Sequence, residues 1–308
     1  MASDAGGPAP ARVSGASAAA LGMLDRLERW AAVDTSPGAK AARDALLALL
    51  RGEQAARPES GLVHQLAVRA LDVAEAAVAQ GEAAAGLRAR LAQSCAAERD
   101  DLEAARAAVA RTAGALGPPR GAWIATVSSS ATVRDALLGL HRRGLGPRAL
   151  VAEGRPRLAG RALAGELGVA GLPVWLVVDG ALPMLLAQAA GLWLGADAVT
   201  DRGAVVPVGG YAAALAAREH SVPVHVLAAR RKFLPAATAA LRIEELPPGE
   251  VWDAPAPGVR PRNVAAEMLP LELVRGVVVE DGALGPTEAA TLARERALPD
   301  ALAAAPER

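Results

Sequence analysis

Four short stretches put chemically useful side chains where an apolar run gives way to a turn. Thr126-Val127-Ser128-Ser129-Ser130 ends a strand-like run on three hydroxyls and leads into a helical pattern. Side-chain hydroxyls beside the free N–H groups of a helix start form an anion cradle suited to phosphate. The same serines equally fit a plain N-cap with two solvated neighbours. Glu153 and Arg155, followed by Arg161, sit at the end of a second apolar run. An arginine there can grip a phosphate or carboxylate in bidentate fashion, or simply form an exposed ion pair of little worth. Asp197, in Gly195-Ala196-Asp197, is a lone carboxylate between apolar segments. Buried there, it would hold its proton to a raised pKa and could transfer it; exposed, it would be a turn aspartate. Asp179 before Gly180 has the same ambiguity and is expected beside it. Lys232, after a further apolar run, can pair with phosphate or lie solvated beside a packed Phe233. Gly209-Gly210 marks a turn between two of these elements, open to close approach by a ligand.

The elements that must position these groups follow from the hydrophobic pattern. Between Arg148 and Phe233, one strand-like run ends in Val151–Pro156, others cover Pro173–Val178 and Val222–Leu227, and one follows Gly195-Ala196-Asp197. They are separated by helical stretches; the apolar window Ala181–Ala198 is read as one such crossover helix, with Pro183 near its start. That alternation predicts βαβ units and a parallel sheet, whose ligands belong at the carboxyl ends of the strands. An earlier strand covers Ala122–Val127 with a helix from Ala131 to Arg143, and a last strand covers Val274–Val279. A tail helix is expected over Pro286–Arg296.

The first third is different. Helical spacing recurs over Ala16–Arg29 (Leu21, Leu24, Leu27, with Ser14 or Ser17 as cap), Ala39–Arg51, Leu62–Val78 and Gly86–Ala115, with no strand between. Gly117-Pro118-Pro119-Arg120-Gly121 cannot continue a helix and marks a boundary. The fold class is therefore α/β: an α-helical domain over residues 1–116, with 1–13 expected to be disordered, then a parallel-sheet domain over 117–308.

Composition narrows the function. Lys+Arg and Asp+Glu both number 33, so no long-range field draws the chain to nucleic acid or an anionic membrane. No signal peptide or membrane span is read, and the single cysteine, Cys95, fits a reducing, cytoplasmic setting. The four histidines show no ligand spacing with it, so no metal is expected. No Gly-x-Gly-x-x-Gly follows the first strand, which sets aside a dinucleotide oxidoreductase; no cofactor is expected.

Taken in order, these stretches resemble the family of translation initiation factor 2B alpha, beta and delta subunits. That family includes the isomerases of methylthioribose 1-phosphate and ribose 1,5-bisphosphate. The likeness is carried by Ser128–Val133, Val151–Pro156 with Gly160-Arg161, Leu194–Val199, Gly203–Val206, Val222-Pro223-Val224 and Lys232-Phe233. It extends to Asn263, Pro270–Leu273, Val279–Gly282 and, in the helical half, Arg57–Leu62. The resemblance implies a helical domain on a Rossmann-like domain, a dimer formed through the latter, and an interdomain cleft for a phosphorylated sugar. In the isomerases a cysteine after the first strand and the aspartate of Gly-Ala-Asp move the proton or hydride. Here the aspartate is Asp197, but Ser128 stands in the cysteine's place, and a hydroxyl cannot do a thiol's proton chemistry at neutral pH without a strong base. Val206–Tyr211 replaces an Asn-Lys-x-Gly-Thr segment, and Ser14-Gly15-Ala16 replaces an Arg-Gly-Ala phosphate loop, with Arg12 two residues away.

These departures favour a sugar-phosphate or nucleotide binding or regulatory protein, homodimeric, without the usual catalytic cysteine. The alternative is an aldose–ketose isomerase of a phosphorylated pentose. By implication Asp197 and Ser128 are its catalytic candidates, with Ser129, Ser130, Glu153, Arg155, Lys232, Gly209 and Gly210 holding the phosphorylated ligand.

Overall fold

A computed structural model describes residues 15–238, 241–243 and 245–303. The expected disorder of residues 1–13, the cap Ser14 and Arg12 lie outside these. Four helices come first: α1 (Ala16–Val33), α2 (Ala39–Ala56), α3 (Gly61–Ala79) and α4 (Ala84–Ala115). Their leucine stripes meet in one core of residues such as Met23, Leu24, Leu46, Leu66, Leu87 and Leu91, joined by buried Cys95. Ser17 does not cap α1. Its N-cap is Gly15, with no side-chain hydrogen bond. Leu21, expected in that core, is exposed on the cleft described below.

The rest alternates: β1 (Trp123–Val127), α5 (Ala131–Arg142), β2 (Arg148–Ala152), α6 (Ala159–Val169), β3 (Val174–Val177), the single turn α7 (Leu182–Leu185) and β4 (Ala189–Gly195). Then come β5 (Ala198–Val199), β6 (Ala204–Pro207), α8 (Gly210–Glu219), β7 (Val224–Leu227), β8 (Ala266–Leu269), β9 (Gly276–Val279), β10 (Gly282–Leu284), α9 (Pro286–Arg294) and α10 (Asp300–Ala303). A helical region is thus followed by a mostly parallel α/β sheet, as expected. The seven strands run in the order β10-β9-β7-β4-β1-β2-β3, all parallel except the closing β9–β10 hairpin.

The apolar window 181–198 is corrected. Only its first third is helical; Ala189–Gly195 is β4, the sheet's central strand, with Leu192, Trp193 and Leu194 fully buried. A strand covered on both faces is continuously apolar, and periodicity cannot tell it from a buried helix. The strand expected after Asp197 is also reassigned: β5, β6 and β8 form a separate antiparallel sheet. The alanine-rich α8 and the short β10 carried no periodic signal of their own.

α4 joins the two regions. Its first half closes the helical core, while Val109, Ala110 and Ala113 pack on the sheet with Ile124, Leu137 and Trp193. No helix among the described residues is long and apolar enough to cross a membrane.

Candidate active site

The strand order reverses at β1. From it the chain steps outward through β2 and β3 on one side, and later through β4, β7 and β9 on the other. The crevice at the carboxyl ends of β1 and β4 is therefore the sheet's switch point, where open α/β sheets take ligands. Ser128–Ser130 follow β1 and Gly195–Asp197 close β4, so the topology brings these two stretches face to face. Ser130 caps α5, accepting from the Val133 N–H at 3.4 Å, as the hydroxyl run suggested. Its side chain packs so tightly on Gly195 that a Cβ there would overlap the Ser130 hydroxyl. Ser128 sits at φ 61°, in the left-handed region, a strained conformation for a side-chain-bearing residue.

Above this junction opens a cleft of about 900 Å³, walled by the α1 N-terminus, the Arg57–Glu59 turn, the serine run, the 154–157 loop and the 245–248 segment. Six basic side chains line it against four acidic ones. At its floor Asp197 is locked through its backbone: its N–H donates to Val205 at 2.8 Å and its carbonyl accepts from Gly61 at 2.9 Å. Burial raises the Asp197 pKa, opposed by the charges of Lys232 and Arg57 and by the Ala16 N–H. Lys232 is buried and donates to the Ala196 carbonyl at 2.6 Å. Burial lowers its pKa, against the pull of Asp197.

Of the sequence candidates, Asp197, Ser128, Ser129, Ser130, Arg155 and Lys232 all line this cleft. Glu153, Gly209 and Gly210 are not among its walls. Glu153 is held by Arg161 at 2.7 Å, outside the cleft, rather than working with Arg155. Gly209 caps α8 and Gly210 packs against Val206, close to Leu194, so both serve helix–sheet packing. Asp179 does not neighbour Asp197; it accepts the Gly154 and Arg155 N–H groups at 2.7 Å each, shaping the loop that carries Arg155. The Arg155 guanidinium contacts only the Val251 carbonyl, at 3.3 Å, among its described hydrogen-bond partners.

Among the lining residues not marked as site candidates are Arg57, Glu59 and Arg157. Arg57 and Glu59 belong to a stretch noticed only for its resemblance. Arg157 lies one residue past the Arg155-Pro156 pair and binds Glu250 through two 3.0 Å bonds. Nothing in local spacing distinguished these from solvated charges. No group of three His, Cys, Asp or Glu side chains able to hold a metal occurs among the described residues.

Comparison with known proteins matches residues 12–286 to the model of the initiation factor 2 subunit family. The chain belongs to that family. A methylthioribose-1-phosphate isomerase of Synechococcus sp. (strain CC9605) is 36% identical over 166 residues, 50% of this chain and 49% of the relative. A ribose 1,5-bisphosphate isomerase of Archaeoglobus fulgidus is 31% identical over 197 residues, 60% of this chain and 62% of the relative. The matches thus span about half the length of the first relative and under two thirds of the second. Among solved structures, the Pyrococcus horikoshii OT3 translation initiation factor eIF-2B superposes with a TM-score of 0.77 at 24% identity, over 90% of this chain and 94% of that one. That likeness establishes the fold.

Proposed function

We propose that this family member is an aldose–ketose isomerase of a pentose phosphorylated at C1. The observation that carries the reading is Asp197: a carboxyl group at the switch point of the sheet, held towards its protonated form by burial, at the floor of a predominantly cationic cleft. A carboxylic acid whose pKa is raised by burial can protonate a sugar oxygen, and its conjugate base can take a proton back. Arg155 and the serine run supply phosphate donors around it. The names of the relatives, isomerases of methylthioribose 1-phosphate and ribose 1,5-bisphosphate, supply the substrate class.

One observation favours a second reading, a sugar-phosphate or nucleotide binding and regulatory protein. Ser128 occupies the place after β1 where the isomerases carry a thiol, and Pro207 and Val208 line the cleft where an Asn-Lys pair would reach it. The two readings separate in one assay. The protein is incubated with each sugar phosphate and with nucleoside monophosphates, while NMR follows ketose formation and thermal shift follows binding. A ligand at one hundred times its Kd stabilises by about 2.7 kcal/mol. Turnover supports the isomerase, a shift without turnover supports the regulatory protein, and neither removes the phosphate pocket altogether.

The working unit proposed is a cytoplasmic homodimer. Trp175 and Leu176, on the edge strand β3, and nearby Val178 and Met184 are exposed large apolar side chains, a surface suited to a second copy. Trp175→Glu is expected to convert dimers to monomers in sedimentation; an unchanged mass removes this edge as the interface.

A further inference from the structure

The wall opposite the serine run holds a second carboxyl group, Glu59. Its position is fixed by the backbone around it. Ser60 caps α3 through the Val63 N–H at 3.4 Å, and the Gly61 N–H donates to the Asp197 carbonyl at 2.9 Å. Gly61 packs so closely that a Cβ would lie 2.6 Å from the Lys232 carbonyl oxygen. On the other side the Pro58 carbonyl accepts from the Arg242 N–H at 3.0 Å and meets His64 Nε2 at 3.1 Å. His64 is wholly buried, and Gln54 Nε2 lies 2.8 Å from its Nδ1, which fixes the ring as a neutral donor to Pro58. The Glu59 turn is thus tied directly to the Asp197–Lys232 floor. Its carboxylate lies 3.5 Å from the Arg57 guanidinium, on the cleft wall.

We infer that Glu59 is the second proton carrier of the isomerisation, working with Asp197 where the family's thiol is missing. This rests on the isomerase reading above. Burial raises the Glu59 pKa, and the Asp197 charge raises it further, against Arg57. The Asp197 charge acting on Glu59 favours a state in which one of the two carboxyls keeps its proton while the other is ionised.

One proton is what the reaction needs. The protonated carboxyl gives its proton to the ring oxygen as the C1–O bond breaks, the bonding electrons going to that oxygen. The hydrogen on C2 moves with its electron pair to C1. The other carboxylate takes the proton of the C2 hydroxyl as the C2=O bond forms. C2 is oxidised and C1 reduced by the same hydride, the phosphate stays on C1, and the pair ends with one proton as it began. No outside oxidant, base or thiol enters.

The test uses the full chain, methylthioribose 1-phosphate and ribose 1,5-bisphosphate, with Glu59→Gln, Glu59→Asp and the wild type. For the substrate turned over, Glu59→Gln is expected to lower kcat about 100-fold or more, leave the thermal shift nearly unchanged and remove one limb of the pH profile. Glu59→Asp should recover part of the rate. A kcat for Glu59→Gln within about threefold of wild type overturns the role of Glu59 while leaving the isomerase reading standing. No turnover by the wild type overturns both. A readout independent of turnover is the carboxyl ¹³C titration of Glu59. It should move to lower pH in Asp197→Asn; an unmoved titration means that the two share no proton and overturns the inference.

Discussion

Lys232 is buried at the floor of the cleft with Asp197, and half-buried Glu59 stands on its wall, whereas around the cleft Arg157 meets Glu250 and Arg161 meets Glu153 in partly exposed ion pairs. Both regions are charged, but the surroundings decide what the charges do. Burial moves the pKa values of Asp197, Glu59 and Lys232 towards their neutral forms. Around the cleft, water and salt screen each pair, and such contacts serve to fix loops. The difference separates the groups proposed above for proton transfer from ion pairs that tie loops together.

The sharpest way to break this contrast is Asp197→Asn. If the floor performs proton transfer, kcat should fall about 10³-fold while substrate still binds. Stability should move the other way. The folded-state pKa of Asp197 lies above its ordinary value of 3.8, so its favourable contribution is complete below 3.8 and is lost as pH rises through the folded value. Amidation removes that loss, so the variant should melt at least as high as the wild type at pH 8 and show a flatter dependence of stability on pH. A variant that keeps its rate would end the claim that Asp197 is the acid.

Lys232→Met tests the same floor from its cationic side. The ammonium lowers the Asp197 pKa and satisfies the Ala196 carbonyl. Without it the folded Asp197 should hold its proton to higher pH still. A loss of about 2 kcal/mol is expected at pH 8, with a smaller deficit at lower pH, as the carboxyl takes up its proton. Urea unfolding at pH 8 and at lower pH reads this out; an equal deficit at both would show that Lys232 acts through packing alone.

How much of this contrast was legible in the sequence follows from range. The four leading helices, the break in helical pattern after α4 and the strand end at Val127 come from local periodicity and breakers, which a single chain displays directly. β4 was read as helix because burial on both faces erases the alternation that marks a strand. Asp197, Lys232 and the serine run could be picked out because strand ends collect ligand-binding groups. Glu59 could not, because its meaning comes from Gly61 docking on Asp197 and Lys232, across 136 residues of chain to the former and 171 to the latter. The pairing of Glu153 with Arg161 rather than with Arg155 likewise depends on where α6 turns, not on spacing along the strand.

Arg155 stands between the two regions, exposed like the mouth yet facing the cleft without a carboxylate partner among the described residues. A charged hydrogen bond to phosphate contributes about 2 kcal/mol, so Arg155→Ala should weaken sugar-phosphate binding roughly 30-fold by calorimetry, with little change in melting temperature. A Kd within about twofold of wild type would move the phosphate to Arg57 and the serine run.

The smallest effect is predicted for Arg157→Ala. Its two 3.0 Å bonds to Glu250 have the bidentate geometry of a strong pair, and Glu250 also accepts from Asn263 Nδ2 at 3.1 Å. Near solvent, even good geometry is offset by hydration and side-chain entropy, so the stability loss should stay below about 1 kcal/mol and shrink in high salt. Because the pair ties the 154–157 loop to the segment over the cleft, any change in function should come in KM rather than kcat. A large, salt-insensitive loss of stability would mean that the mouth is as dry as the floor, and the division between the two would fail.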